Sequence, residues 1–252
     1  DIITFIREKG IRMIDFMYPA EDGRIKTLNF MINNYAYLET ILTDGERVDG
    51  SSLFPSFIEA ENSDLYVIPR FRTAFVSPFS EIPTLCMLCS FFNKDGEPFE
   101  CSPEQTLHRA AVAFTQSTGM TFEAMGELEY YVIADDDEMF PAVDQRGYHE
   151  SGPFAKFNEF RKQCMAYIAQ TGGQIKYGHS EVGNFTQNGK VFEQNEIEFL
   201  PCPAETAADQ LILAKWVIRN LAHMNDLDIT FAPKITCLLY TSPSPRDRTR
   251  SR

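Results

Sequence analysis

Apolar residues in the first hundred positions alternate with polar ones or run in short blocks; they do not recur every third or fourth residue. Ile11-Arg-Met-Ile-Asp-Phe-Met17 and Ile25-Lys-Thr-Leu-Asn-Phe-Met31 flank the turn-forming Glu21-Asp22-Gly23, which predicts a hairpin. Residues 82–93 form a longer apolar run that stops at Lys94-Asp95-Gly96, predicting another strand and a turn. Residues 1–100 thus read as a small sheet with a short helix or two. The period then changes. Ser102-Pro103-Glu104-Gln105 supplies an N-cap, a proline at the first helical position and a capping-box glutamine. Leu107, Ala111 and Phe114 follow at helical spacing, and Gly119 closes the helix. The pattern predicts a strand over 121–133, a helix over 157–170 and extended segments around 179–183 and 191–199. A long helix from Ala204 to Met224 and a last strand over 229–233 complete it. No internal repeat is visible. The chain is therefore α+β, with a strand-rich domain over 1–100 and a mixed segment over 101–236.

Composition supports a folded chain of this kind. Of 252 residues 44% are hydrophobic and 21 are Phe, enough for a sizeable core. Collagen-like, coiled-coil and wholly disordered classes are excluded. The net charge is −13; Cys237–Arg252 contributes four Arg and one Asp, so the preceding residues carry −16. Such an acidic chain is a poor non-specific partner for nucleic acid and suits a cation binder or a soluble enzyme. No apolar run approaches the ~20 residues that span a bilayer, and no basic-then-apolar leader follows Asp1. The expectation is a cytoplasmic protein with no membrane partner. Cys86-Met-Leu-Cys89 has no second pair to complete a zinc site, so the cysteines read as reduced core thiols.

The acidity is patterned. In Gly126-Glu127-Leu128-Glu129-Tyr130-Tyr131, strand alternation puts Glu127 and Glu129 on one face and Leu128 and Tyr130 on the other. Two adjacent carboxylates repel each other unless they face solvent or a hard cation such as magnesium or manganese. Further on, His179-Ser-Glu181-Val-Gly183 and Glu193-Gln-Asn-Glu196-Ile-Glu-Phe199 flank Asn188-Gly189, a strong hairpin signal. If those two residues form the turn, Gln187 pairs with Lys190 and the same register sets Glu181 opposite Glu196. Like charges so opposed are destabilising without a cation between them. Glu127, Glu129, Glu181 and Glu196 are thus candidate ligands for two cations able to bridge nucleotide phosphates. His179 is either a structural histidine or a proton-transfer or phosphate-contacting group.

In chain order these strings resemble the glutamine synthetase family. Val48-Asp49-Gly50-Ser51-Ser52 resembles its Asp-Gly-Ser-Ser loop, and Glu61-Asn-Ser-Asp64 its following Glu-Ser-Asp segment. Thr73-Ala-Phe-Val-Ser-Pro-Phe79 resembles Thr-Ala-Phe-Val-Asp-Pro-Phe. Gly126-Glu-Leu-Glu-Tyr130 resembles its two-glutamate strand, His179-Ser-Glu-Val182 its His-His-Glu-Val, Gln194-Asn-Glu-Ile197 its Gln-His/Asn-Glu-Ile/Val, and Thr230-Phe-Ala-Pro-Lys234 its Thr-Phe-Met-Pro-Lys. The resemblance spans roughly residues 1–235. It implies a small N-terminal β-grasp-like domain followed by the first part of the family's catalytic domain. It also implies a ligase that phosphorylates the glutamate side chain with ATP and lets ammonia attack the acyl phosphate, in nitrogen metabolism. Glu129, Glu181 and Glu196 would bind one Mg2+ or Mn2+, and Glu127 would help bind a second at the ATP phosphates. Asp49 would bind ammonium and help deprotonate it in a neighbouring subunit's site, with Ser52 beside it. A homo-oligomeric ring is implied.

Two departures stand out: a longer stretch between Glu181 and Glu196, and Ser180 at the second histidine position. Either would suit a γ-glutamyl-amine synthetase; a non-catalytic metal-binding or assembly module is the reading from another class. The family's Gly-Ser-Gly-Met-His segment, with the second metal's histidine, and its later arginines are not among these residues, so the chain is expected to be an inactive fragment. Residues 237–252 have neither helical nor strand period. Back-translated, their start resembles a transposase adapter used in preparing sequencing libraries, and they are expected to be a non-native tail.

Overall fold

The computed structural model of the protein describes residues 2–233 and 235. The expected tail over 237–252 lies outside them. Among the described residues, two compact units emerge: residues 2–124 with 170–172 and 201–216, and residues 125–169 with 173–200 and 217–233. The elements are those of a mixed α+β chain.

The first unit opens with helix α1 (Ile2–Glu8) and the hairpin β1 (Met13–Pro19) and β2 (Ile25–Met31), then α2 (Tyr35–Asp44), β3 (Glu46–Asp49) and the single-turn α3 (Gly50–Leu53). β4 (Asp64–Pro69), β5 (Phe75–Val76) and β6 (Thr84–Phe92) complete a sheet of order β2-β1-β6-β4-β3, with β5 on β6. The predicted hairpin is present, Met13 facing Met31 through Pro19 facing Ile25. β6 is buried almost throughout because it lies inside the sheet, parallel to β1 and antiparallel to β4. Leu38, Ile41 and Leu42 of α2 join Phe16, Val67, Met87 and Phe91 in the core, and Cys86 and Cys89 are buried free thiols as expected. Helix α4 (Pro103–Thr118) has the predicted caps: Ser102 accepts from the Gln105 N–H and Gly119 adopts φ 71°. Its apolar stripe finds no buried place. β7 (Glu123–Ala124) pairs with β11 (Cys202–Pro203), and the start of helix α6 (Ala204–Met224) also belongs here, with Asp209 clasping Arg70 through two 2.7 Å bonds.

The second unit holds β8 (Glu127–Asp135), α5 (Asn158–Gln170), β9 (Ile175–Gln187), β10 (Lys190–Phe199) and β12 (Asp228–Thr230), an antiparallel sheet of order β12-β8-β10-β9. The strand expected over 121–133 is two strands, because Met125-Gly126 interrupts it. Asn188 (φ 54°) and Gly189 (φ 73°) take the positive φ values that their hairpin turn requires. Leu128, Tyr130, Val132 and Ile197 are buried, as are Phe160, Cys164 and Ile168 of α5. Among the described residues no helix is long and apolar enough to cross a membrane.

Candidate functional site

β8 and β10 pair with Glu127 facing Glu198, Glu129 facing Glu196 and Tyr131 facing Gln194. Alternation puts all six on one face of the sheet. β9 extends that face with Tyr177 opposite Glu198 and His179 opposite Glu196. The other face carries Ser180 and Asn195, which meet Arg161 of α5: Arg161 Nη1 donates to Ser180 Oγ at 3.1 Å and also to Asn195 Oδ1. Glu127 and Glu129 therefore share a face, as their spacing predicts.

The predicted pairing of Glu181 with Glu196 is corrected. Near the turn the register is the expected one, from Gln187 facing Lys190 to Asn184 facing Glu193. It then slips by two, so that Ser180 faces Asn195 and His179 faces Glu196. Residues 181–183 lie against Gln194 alone, a bulge that kinks β9. Two contacts hold it. The Gly183 N–H donates to Gln194 Oε1 at 3.2 Å, and an irregular segment runs along the edge of β9, with the N–H groups of Gln145, Gly147 and His149 donating to the carbonyls of Asn184, Val182 and Ser180. Gly147 is required there, since a Cβ would overlap the Glu181 carbonyl.

Despite the slip, Glu181 still reaches the cluster. Ligand atoms of His179, Glu181 and Glu196 lie within 4.8 Å of one another, as do those of Glu127, Glu196 and Glu198. Glu196 belongs to both groups, so the face offers two adjoining sets of hard donors. Glu198 was not singled out in the sequence, although it stands two residues beyond Glu196 on the same alternation. Lys176 Nζ bonds Glu198 at 2.6 Å. Burial works against the Glu198 charge, but the bonds from Lys176 and Tyr177 prevail and hold its carboxyl below the ordinary value.

Glu196 is 8% exposed. Burial, then the charges of Glu181, Glu129 and Glu127, push its carboxyl up to about 8. His179 Nδ1 lies 3.0 Å from the Ser180 carbonyl, which can only accept, so that nitrogen carries the proton. Nε2 lies 3.8 Å from Glu196 Oε2. His149 stacks on Tyr148 at 4.1 Å between ring centroids and approaches His179 at 4.4 Å, forming an aromatic wall on this side. Converging carboxylate oxygens, mutually repelling when ionised, with an imidazole nitrogen beside them fit Mg2+ or Mn2+.

Asp49 and Ser52 belong to the first unit. Asp49 ends β3 and caps α3: its carboxylate accepts from the Ser51 N–H at 3.0 Å, Ser51 Oγ at 2.7 Å and Ser52 Oγ at 2.5 Å. The Ser52 bond, followed by those from Ser51, lowers its carboxyl to about 2. Gly50 permits the turn, since a Cβ there would collide with the Ser63 carbonyl and the Leu65 side chain.

Residues 10–94 match the family model described as "Glutamine synthetase, beta-Grasp domain", and residues 100–242 match "Glutamine synthetase, catalytic domain". The glutamine synthetase of Methanococcus voltae is 25% identical over 239 residues, covering 92% of this chain and 52% of that protein. That of Clostridium saccharobutylicum is 27% identical over 239 residues, covering 93% and 51%. The chain thus spans about half the length of these curated relatives. Two solved structures share its fold: "Apo GmaS without ligand", with TM-score 0.77, 18% identity and coverage of 95% of this chain and 54% of that one; and a cryo-electron-microscopy structure of Plasmodium falciparum glutamine synthetase, with TM-score 0.79, 16% identity and coverage of 93% and 50%.

Proposed function

The chain belongs to the glutamine synthetase family, and on that premise we propose that its glutamate face holds the divalent cations of an ATP-dependent glutamate–ammonia ligase. The observation that carries this is the placing of Glu127, Glu129, Glu196 and Glu198 on one sheet face, with ligand atoms of Glu127 and Glu198 on one side and of Glu181 and His179 on the other within 4.8 Å of Glu196. Glu129, Glu181 and Glu196 would hold one Mg2+ or Mn2+; Glu127 would contribute to a second, with Glu198 beside it. Bound there, the cations would neutralise phosphate and carboxylate charge during transfer from ATP to the glutamate side chain. A carboxylate is a poor acyl donor until it is phosphorylated, which is why the reaction needs ATP before ammonia attacks. Asp49 would bind ammonium. Its three hydrogen bonds keep it ionised and weakly basic, which favours electrostatic binding over proton acceptance, and Ser52 fixes its orientation.

The intact protein would work in the cytoplasm as a homo-oligomeric ring, with Asp49 serving a neighbouring subunit. These 252 residues alone, without the family's later histidine and arginines, would show little ligase activity. A γ-glutamyl-amine synthetase is the alternative within the family. Ser180, one of the two departures that suggested it, is 1% exposed and bonded to Arg161 on the far face. Its hydroxyl therefore does not face the carboxylates, and the longer stretch between Glu181 and Glu196 is the departure that keeps this alternative.

Titration with Mn2+, followed by the electron paramagnetic resonance of the free ion, tests the cation site. Saturable binding that is lost in Glu129→Ala is expected; its absence in the unaltered chain would overturn the reading and leave the assembly-module alternative. In a protein of the relatives' full length, amide formation from glutamate and ATP with ammonia or a panel of primary amines would fix the amine.

A further inference from the structure

Below the carboxylates the same face changes character. The next rung toward the turn is Tyr131 facing Gln194, and after it come Phe185 and Phe192, stacked at 4.5 Å with their rings 7° from parallel. The Tyr131–Gln194 rung therefore lies between an acidic layer and a dry apolar one. Gln194 is 2% exposed, and both ends of its amide are committed. Oε1 accepts from the Gly183 N–H, which fixes the orientation of the amide and turns Nε2 toward Glu129 Oε2 at 2.5 Å. Tyr131 is 1% exposed, and its hydroxyl has no hydrogen-bond partner. It is wedged against the bulge so closely that a Cβ on Gly183 would overlap both the hydroxyl and Gln194 Oε1. Burial first, and then the charges of Glu129 and Glu181, push this hydroxyl up to about 12.

A buried hydroxyl without a partner costs about 1–3 kcal/mol relative to one that is bonded. Phenylalanine would fill the same place without that cost, and Phe185 and Phe192 show that the neighbourhood accepts it. The hydroxyl is therefore unexplained by packing within the sheet.

We infer that the Tyr131 hydroxyl and the Gln194 amide are positioning groups for the cation site: Gln194 holds Glu129 in one rotamer, and Tyr131 donates to the Glu129–Glu181 side of the cluster when a cation draws those carboxylates together. The inference rests on the reading of this face as a cation site and adds a second tier beneath the carboxylates. Neither group is a ligand; each would act by orienting ligands, as outer hydrogen-bond partners do at metal centres.

Tyr131→Phe separates this role from a structural one, because the two push its readouts in opposite directions. In the metal-free chain, Tyr131→Phe should melt at the same temperature or higher, since it removes an unpaired hydroxyl. Its Mn2+ dissociation constant, from electron paramagnetic resonance titration, should nonetheless rise about 10-fold, within the about 10- to 100-fold range for outer-partner loss. Gln194→Met keeps the length of the side chain and removes its polarity. It should weaken Mn2+ further and broaden the bound-ion spectrum as Glu129 samples several rotamers. Unchanged Mn2+ affinity in Tyr131→Phe, or a lower melting point with no change in affinity, would overturn the inference while leaving the cation site intact. No Mn2+ binding by the unaltered chain would overturn both.

Discussion

Replacing Glu196 by glutamine should make the metal-free protein more stable. Glu196 is buried, faced by Glu129 and His179, with the Glu181 carboxylate reaching the same point. Its carboxyl is held at about 8 against an ordinary 4.5. Each pH unit between those values corresponds to about 1.36 kcal/mol of disfavour for the ionised form, so the ceiling is about 5 kcal/mol. Burial is the largest cause and the neighbouring carboxylates come after it, and one neutral isostere relieves only part of the cost of the cluster; about 2–4 kcal/mol is expected at pH 8. The sign follows from the direction of the shift. A carboxyl raised in the folded state favours folding most below its unfolded value, and that contribution is lost as pH rises through the folded one. The metal-free wild type should therefore lose stability between about pH 4.5 and 8, whereas Glu196→Gln should lose much less. Urea unfolding followed by circular dichroism across that range measures both curves. Saturating Mg2+ should flatten the wild-type curve and leave the variant nearly unmoved. Parallel curves, or a variant less stable than wild type at pH 8, would refute the reasoning.

Other substitutions probe the supports of the same face and of the first unit. Arg161→Met removes the buried cation that joins α5 to Ser180 and Asn195, and should cost about 3 kcal/mol in urea unfolding; a loss below about 1 kcal/mol would mean that the guanidinium is replaceable by packing. Gly183→Ala forces a Cβ into the Tyr131 hydroxyl and Gln194, and should cost about 2–3 kcal/mol while weakening Mn2+ binding; an unchanged affinity would separate the bulge from the site. Asp209→Ala strands the guanidinium of Arg70, both side chains being 15% exposed, and should lower stability by about 2–4 kcal/mol without altering Mn2+ affinity.

Much of this was legible in the sequence because local signals and tertiary need agree. Ser102, Pro103 and Gly119 mark helix α4 through cap chemistry that depends on nothing distant, and Asn188-Gly189 marks its turn for the same reason. The shared face of Glu127 and Glu129 follows from alternation alone. The bulge at 181–183 was not legible. A slip by two residues preserves the period-two alternation, so it moves no side chain of β9 to the other face and leaves no trace in the pattern. It is fixed by the Gly183–Gln194 bond and by the edge segment at 145–149, which are far apart in sequence or invisible to periodicity. The roles of Tyr131 and Glu198 were hidden differently: both lie on a predicted alternation, but a tyrosine in a strand reads as core, and a third glutamate reads as surface. Helix α4 shows the converse, an apolar stripe with no buried place among the described residues.

The bulge also makes the hairpin modular. Because the register is reset at residues 181–183, the residue that meets Glu196 is chosen there and not at the Asn188-Gly189 tip. The outer rungs, from Asn184 facing Glu193 to Gln187 facing Lys190, can gain or lose residues in pairs without rotating a carboxylate off its face. Length variation in this hairpin is therefore silent for the acidic cluster, and the tip is the natural place to graft a reporter or an epitope onto this chain.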